Sequence, residues 1–451
     1  MTPSADGFTR YQQAQSALLA LIDEHRGDSP SQARRSRKAA ARLRRTHALL
    51  SRLGNPQAQY AVVHVTGTSG KGSTCAAIAA ILTAAGYRVG LRTSPYLQVA
   101  TEKLQTGSSL IDPYAFADLV DEVLDQACHL EADAGSGARH SYAEVWSGLA
   151  FTWFARRQVD IAVIEVGAGG RLDATNVVQP VVSVITSVGL DHVVSLGPTI
   201  SDIAWHKAGI IKRGSIAVLG ELPDEARSIV LDAAREMGAP VIHASDGAFG
   251  FSGNMTWFAR KNAEVAYAAM VALRRQGFRI HDAAIAEGLA TARMPGRLEF
   301  MPTSSVPVWI DGAHNPDKIA AVAREVSTLS DAGIAPVVVL GMLKAKDAKS
   351  IVSTLAGAAS AIVATQPSVI GKPSLPAGEL AEAVRGVGFA GPVQQDPLPL
   401  SALARAEQLA LRLGTPVLAT GSLYLAGELR RRWYRDEDIV RQRTSWPIAR
   451  R

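Results

Sequence analysis

The chain alternates short, continuously apolar runs with longer segments whose apolar residues recur at helical spacing. Tyr60–Val65 is a compact β-branched run, followed by a Gly-rich turn and an Ala-rich stretch from Ser73 to Ala85 that suits a helix. A second apolar run, Arg88–Leu91, follows at once, as a right-handed parallel crossover requires. The rhythm continues with a helix over Glu144–Arg156, strands over Ile161–Val166, Val181–Thr186 and Ala217–Leu219, and a helix over Asp224–Met237. Strands that are apolar along their whole length indicate a mostly parallel sheet covered on both faces. A turn at Met294-Pro295-Gly296 interrupts the pattern, and a fresh series runs through Val308–Asp311, Val337–Gly341, Ala361–Thr365 and Val417–Thr420. The expectation is an α/β protein with one domain over residues 1–295, helical at its start, and a smaller Rossmann-like α/β domain over 296–451.

Composition changes this picture little. A chain of 451 residues, 47% of them hydrophobic, can bury two α/β cores. The uncharged run Ser350–Gly371 approaches the length of a membrane span, but its Ser, Thr, Gln366 and Pro367 split it into an amphipathic helix and a short strand. The charged tail from Arg430 to Arg451 is expected to fray. A net charge of +6 suits an anionic ligand without choosing one. Only Cys75 and Cys128 occur, without metal-site spacing, and no leader-like segment opens the chain, so a reducing cytoplasm is expected. The basic run Arg34–Arg45 reads as a solvated helix face. It lacks the interleaved aromatics that single-strand binders add to charge.

Candidate chemistry gathers at strand ends. Gly67-Thr68-Ser69-Gly70-Lys71-Gly72-Ser73-Thr74 lies at a strand-to-helix junction, where backbone N–H groups and the helix dipole favour a phosphate. Lys71 would reach the outer phosphates, and Ser73 or Thr74 would ligate Mg²⁺. This P-loop is a variant, with Val65 and Gly72 where the Walker pattern has Gly and Ser or Thr. Glu165 ends a strand just before Gly167-Ala168-Gly169-Gly170, at the sheet edge where ligands of open α/β sheets bind, and is a candidate Mg²⁺ ligand. His192 follows another strand at the equivalent edge, as either a satisfied hydrogen-bonding residue or a metal contact. Lys207, on an amphipathic segment, reads by itself as a surface or salt-bridged lysine; burial near a metal would free its amine to react, including with CO₂.

Together these pieces resemble the folylpolyglutamate synthase and dihydrofolate synthase family, relatives of the muramyl (Mur) ligases. The resemblance runs from Leu53-Gly54-Asn55-Pro56 to Gly421-Ser422-Leu423-Tyr424-Leu425. It takes in the Gly67–Thr74 loop, Thr93-Ser94-Pro95, Glu165 to Asn176, Lys207-Ala208-Gly209-Ile210, Pro295-Gly296-Arg297 and Asp311 to Pro316. It implies that Lys71 holds the ATP phosphates, that Ser73 and Glu165 bind one Mg²⁺, and that His192 binds a second with a carbamylated Lys207. It assigns nucleotide contacts to Asn262, Arg297 and Asp311. Ser94, Pro95 and Tyr96 fall in the loop for the acyl substrate, and His314 and Ser422 on the amino-acid side.

The implied activity is ADP-forming ligation: ATP phosphorylates a substrate carboxylate, and the amine of L-glutamate attacks the acyl phosphate, giving an amide on dihydropteroate or a reduced folate. A monomer acting on small molecules is expected, with no nucleic-acid or membrane partner. Three departures bear on the substrate: Tyr96 stands where the family usually has His, His206 where it has Glu, and Phe258-Ala259 where a His-Gln pair is frequent. They motivate one alternative, a related ligase acting on a non-folate carboxylate. A nucleic-acid-dependent P-loop ATPase is a second, but it leaves Glu165, His192 and Asp311 to Pro316 without a role.

Overall fold

The computed structural model describes residues 6–22, 32–134, 139–246, 255–302, 305–329 and 335–448. The early part of the Arg34–Arg45 run has its side chains outside the described residues; its backbone is helical. Contacts group Met1–Tyr96 with Ala100–Met294 as one compact unit, and Leu97–Val99 with Pro295–Arg451 as another.

The first unit is built on strands β1 (Ala61–Thr66), β2 (Val89–Arg92), β3 (Gln105–Thr106), β4 (Ser109–Leu110), β5 (Ile161–Glu165), β6 (Val182–Ile185), β7 (Ile216–Leu219) and β8 (Val241–His243). They lie in the order β4-β3-β2-β5-β1-β6-β7-β8. Pairing is parallel from β2 to β8, and β3 and β4 add an antiparallel edge. The helices are α1 (Gly7–Leu19), α2 (Gln32–Arg52), α3 (Lys71–Ala84), α4 (Pro113–Ala134), α5 (Tyr142–Arg156), α6 (Val193–Leu196), α7 (Ile200–Ala208), α8 (Asp224–Met237), α9 (Trp257–Arg275) and α10 (Asp282–Thr291). Val63, Val65, Val163 and Val184 meet Ile78, Ile81, Met270 and Ile285 of α3, α9 and α10 on one face. Ile185, Ala217 and Leu219 meet Ile203, Ala226 and Val230 of α7 and α8 on the other. Both faces are covered, as the unbroken apolar runs required. Register aligns Val65 with Glu165 and Thr66 with Ile185, so the loops after β1, β5 and β6 leave one edge side by side.

The second unit has strands β9 (Glu299–Met301), β10 (Val308–Ile310), β11 (Val337–Leu340), β12 (Ala361–Ala364), β13 (Val393–Gln395) and β14 (Val417–Thr420), in the order β13-β12-β11-β14-β10-β9 with β9 antiparallel. Its helices are α11 (Pro316–Leu329), α12 (Ala348–Leu355), α13 (Ala377–Gly386), α14 (Pro399–Leu413), α15 (Leu423–Arg430) and α16 (Asp436–Gln442). The run Ser350–Gly371 divides into the end of α12 and strand β12, and no described helix is long and apolar enough to cross a membrane.

The tail corrects the expectation of fraying. Arg430 is fully buried, and α16 buries Ile439 and Val440. The Arg430 guanidinium donates to Glu299 (Nε to Oε2 2.8 Å), to Gln98 Oε1 (2.6 Å) and to the Ser445 carbonyl (2.6 Å), and lies 4.3 Å from the centroid of the Tyr434 ring. Glu299 also accepts from Trp446 Nε1 (3.0 Å) and Gly296 N (2.8 Å). The charge density that suggested a loose tail is neutralised inside the unit by a carboxylate distant in sequence.

A second buried group sits at the centre of the first sheet. His64, in β1, has no exposure and pairs through Nε2 with Thr175 Oγ1 at 2.9 Å; Thr175 Oγ1 in turn donates to Asp173 Oδ1 at 2.6 Å. With the Thr175 proton spent on Asp173, His64 Nε2 is the donor and the imidazole is neutral. Burial holds its pKa down to about 3, outweighing the nearby Asp173 carboxylate.

Two stability predictions follow from these groups. Because the folded pKa of His64 lies below that of a free imidazole, the unfolded chain binds the extra proton between about pH 6.5 and 3, and stability falls as pH falls through that window. Urea unfolding of His64→Gln should show a flatter pH dependence between pH 6.5 and 5 than the parent, by up to about 1.4 kcal/mol per pH unit; parallel curves would remove His64 as a source. Arg430→Met should leave Glu299 buried without its cation and cost about 3–5 kcal/mol. Chemical denaturation followed by tryptophan fluorescence measures that loss.

Candidate functional site

The phosphate-loop residues occupy the junction of β1 and α3. Gly70 is the N-cap of α3 with φ +80°, a left-handed conformation that glycine adopts without penalty. A side chain there would also run into Asn262 Oδ1, so Asn262 on α9 lies directly against the loop. Lys71 Nζ donates to the Gly67 carbonyl at 2.9 Å, holding its ammonium over the turn. The loop is fastened to the segment after β6. Ser69 N donates to Ser187 Oγ (2.8 Å), Thr186 Oγ1 to the Ser69 carbonyl (2.5 Å), and Thr68 N to the Ser187 carbonyl (3.0 Å). Of the two candidate hydroxyls, Ser73 is half-exposed, whereas Thr74 is fully buried and its N–H is used by the Gly70 carbonyl (2.9 Å).

Glu165 ends β5 and is 4% exposed. Its carboxylate faces the first turn of α3, where a Cβ added at Gly72 would stand 3.5 Å from Oε2. That is an ordinary van der Waals distance, so the start of α3 and the acid lie side by side. Glu165 Oε2 accepts from Ser94 N at 2.8 Å, and the Glu165 carbonyl accepts from Arg92 NH1 at 2.5 Å. Arg92, the last residue of β2, is buried, and that burial lowers its pKa against the pull of Asp173 and Glu165.

The loop bearing Ser94, Pro95 and Tyr96 starts here, with a cis Ser94–Pro95 peptide. Tyr96 is half-buried, and Gln15 of α1 approaches its hydroxyl at 3.4 Å. The chain re-enters the first unit at Ala100, whose N–H donates to Tyr11 Oη (2.9 Å), and Thr93 Oγ1 reaches the Glu102 carbonyl (3.3 Å). Lys103 follows, 3% exposed, with Nζ 4.0 Å from the Trp146 ring centroid and 4.9 Å from that of Tyr142. Burial first, then the Arg92 charge, pulls its pKa well below the ordinary lysine value.

Lys207 lies in the last turn of α7, 3% exposed. The turn after Glu165 packs on it: Arg171 N donates to the His206 carbonyl (2.6 Å), Asn176 Nδ2 reaches the Arg171 and Gly209 carbonyls (2.9 and 3.1 Å), and a Cβ at Gly170 would stand 3.2 Å from the Lys207 carbonyl. The surface-lysine reading therefore does not hold. Asp173 braces the same turn, accepting from Ala168 N and Thr175 N. His192 is exposed, at φ +53°, as the N-cap of α6. Among the described residues no three His, Cys, Asp or Glu side chains gather as a metal cage.

In the second unit, Asp311 follows β10 and is buried. It accepts from Leu298 N and Ala313 N, both at 2.7 Å, while burial raises its pKa against the opposing Arg297 charge. A Cβ at Gly312 would meet Arg297 NH1 at 2.6 Å, so Arg297 and Asp311 share one corner. His314 Nδ1 lies 3.0 Å from the Gly312 carbonyl. Ser422 caps α15, and Gly421 N donates to the Ala313 carbonyl (2.9 Å), which sets the His314 and Ser422 loops next to each other. The candidates thus fall in two sets, Gly67–Thr74, Ser94–Tyr96, Glu165, His192, Lys207 and Asn262 in one unit, and Arg297, Asp311, His314 and Ser422 in the other. Sequence reasoning missed Arg92, Lys103 and the Thr186–Ser187 brace. An arginine closing an apolar strand was a visible signal for the first; nothing local marked the others.

The chain matches the Mur ligase middle domain over residues 65–271 and the Mur ligase glutamate ligase domain over residues 296–423. It is 35% identical over 416 residues to the folylpolyglutamate synthase of Lacticaseibacillus casei, covering 86% of this chain and 93% of that protein. It is 34% identical to the dihydrofolate synthase/folylpolyglutamate synthase of Bacillus subtilis, over 71% of this chain and 80% of that one. Its fold superposes on Mycobacterium tuberculosis folylpolyglutamate synthase complexed with ADP and AMPPCP, with a TM-score of 0.83 at 29% identity, covering 96% of this chain and all of the other. Likeness of this extent, carried through both units, establishes that the chain belongs to the folylpolyglutamate synthase and dihydrofolate synthase family of Mur ligases.

Proposed function

We propose that this protein joins L-glutamate to a folate-type carboxylate, dihydropteroate or a reduced folate, at the expense of ATP, releasing ADP and phosphate. The observation that carries this reading is the 2.8 Å hydrogen bond from Ser94 N to Glu165 Oε2. It ties the acyl-substrate loop to a carboxylate that faces the phosphate loop, so the acid to be activated and the phosphoryl group to be transferred meet at one strand edge. The ADP and AMPPCP bound by the Mycobacterium tuberculosis relative support ATP as the nucleotide.

In this reading Gly67, Gly70 and Gly72 keep backbone N–H groups open to the phosphates while Thr68 fastens the loop to Ser187, Lys71 neutralises charge on the group in transfer, and Asn262, Arg297 and Asp311 hold the nucleotide. A substrate carboxylate oxygen attacks the γ-phosphorus, and the bond to the ADP oxygen breaks. The glutamate amine, having lost its ammonium proton, then attacks the acyl carbon; phosphate departs with the former carboxylate oxygen, and the nitrogen gives up a second proton. His314 and Ser422 serve the amino-acid side.

The donors present fit Mg²⁺. Ser73, in the first turn of α3, and Glu165, whose carboxylate faces that turn, are oxygen donors of the kind Mg²⁺ takes, and such a cation needs few protein ligands because phosphate and water complete its shell. Bound there, it would supply charge stabilisation of the transferred phosphoryl group. A second ion beside His192 requires more, since an ammonium cannot ligate. Lys207 meets that need as a carbamate, whose oxygens replace its charge. Two free cysteines, one buried and one exposed, suit a cytoplasmic protein, and we read it as a monomer without nucleic-acid partners.

Two measurements test the reading. ADP release should require both L-glutamate and dihydropteroate or tetrahydrofolate; AMP with pyrophosphate as products, or turnover indifferent to both acids, would sink it. Lys207→Ala should lower kcat by roughly 100-fold or more and recover in part with short carboxylic acids. Undiminished activity in that variant would take Lys207 out of the site.

A further inference from the structure

Helix α1 takes no part in the chemistry above, yet two of its side chains reach the segment that carries Ser94 to Tyr96. Gly7, Tyr11, Ala14 and Leu18 recur at helical spacing and form its buried face. Tyr11, 2% exposed, stacks on Phe8 with centroids 5.8 Å apart and lies 5.7 Å from the Phe116 ring of α4, and Arg10 pairs with Asp118 of α4 at 2.9 Å. A phenylalanine would fill the same slot. The hydroxyl is the part that packing does not account for, and burying one is unfavourable unless it is hydrogen-bonded.

The Ala100 N–H donates to that hydroxyl, at 2.9 Å from Tyr11 Oη. Ala100 is 1% exposed and opens the short 3-10 helix Ala100–Lys103, and the first N–H groups of a helix have no acceptor within it. One turn further along the same side of α1, Gln15 Nε2 donates to Tyr96 Oη at 3.4 Å. The residues between these two contacts, Leu97–Val99, group with Pro295–Arg451. Helix α1 therefore holds both flanks of that excursion, while Glu165 Oε2 holds the loop at Ser94 N, 2.8 Å away. Three fixed points, all in the first unit, thus set where Ser94–Tyr96 stands relative to the phosphate loop.

We propose that α1 is the positioning element of the acyl-substrate loop, with Tyr11 acting through the Ala100 amide and Gln15 acting through the Tyr96 hydroxyl. This deepens the folate-ligase reading and rests on it. Neither side chain is a catalytic residue. Both act on the affinity for the acid, because they fix the loop that receives it and touch nothing in the phosphate loop or in the second unit's nucleotide and amino-acid candidates.

The test compares the full-length enzyme with Tyr11→Phe, Gln15→Leu, Tyr96→Phe and the Gln15→Leu/Tyr96→Phe double variant. Tyr11→Phe keeps the ring and removes only the acceptor, so KM for tetrahydrofolate should rise roughly 5- to 10-fold, with KM for ATP and for L-glutamate within about twofold. Gln15→Leu should raise the same KM roughly 2- to 5-fold. It should add nothing in the Tyr96→Phe background, the non-additivity expected of a residue that acts through another. Rises shared evenly by all three substrates, or Gln15→Leu and Tyr96→Phe effects that multiply, overturn the proposal. Hydrogen exchange of the ligand-free enzyme supplies a readout that needs no substrate: residues 94–100 should exchange about tenfold faster in Tyr11→Phe, with α3 unchanged. Unaltered exchange overturns the proposal whichever acid is used. Faster exchange in an enzyme that turns over another acid and no folate sinks the functional reading alone, and the KM comparison is then made on that acid. If Tyr11→Phe does not fold, the Gln15 and Tyr96 cycle decides.

Discussion

A turn that binds phosphate must point its N–H groups outward, and a turn so exposed cannot hold its own shape. The loop between β1 and α3 meets this constraint by borrowing. Thr186 and Ser187, at the end of the neighbouring β6, take up the carbonyl and N–H of Ser69 and the N–H of Thr68, which frees the turn from satisfying itself. Asn262 closes the other side against Gly70. The parallel pairing of β1 with β5 and β6 is what brings these partners to one edge, so the sheet order is a condition of the chemistry.

Glu165 extends the same arrangement to the substrate. Its carboxylate looks toward Gly72 and holds Ser94 N, its carbonyl holds Arg92, and the turn that follows it packs on the end of α7 where Lys207 lies. A single strand end therefore organises the phosphate loop, the Ser94–Tyr96 loop and the turn that packs on the end of α7. The cost is a concentration of buried charge, with Arg92, Lys103 and Glu165 each under 5% exposed. Buried ions are tolerated where partners or ligands complete them. Arg92 finds its partner within the protein, at the Glu165 carbonyl, and Lys103 lies over the Trp146 ring.

Much of this was legible in sequence because it follows from short-range rules. Unbroken apolar runs located the central strands to within about a residue, and a Gly-rich turn between strand and helix located the phosphate loop. The hairpin of β3 and β4 escaped because strands of two residues carry no periodicity. Residues 97–99 escaped for another reason: Leu97 and Gln98 pack with Pro295–Arg451, and a boundary drawn once along the chain cannot express an excursion of three residues. The Arg430 tail looked loose because composition registers charge, whereas stability depends on whether Glu299 is there to meet it.

The departures from the family pattern can now be weighed by where they sit. His206 precedes Lys207 on a helix, about 100° around the axis, and stands edge-on to Trp205 at 5.0 Å. Burial, reinforced by Arg171, lowers its pKa, so the ring is neutral at pH 7. A glutamate at this position would favour the ammonium form of the adjacent lysine; a neutral imidazole exerts no such pull, which suits the carbamate we propose at Lys207. Phe258 lies four residues before Asn262, on the same face of α9, and exchanges a polar for an apolar surface one turn from the phosphate loop. Neither change removes a group from the proposed ligand set. Tyr96 is different in kind, because its hydroxyl lies within the substrate loop itself, approached by Gln15 of α1. Of the three departures it is the one that falls in the loop we assign to the acyl substrate.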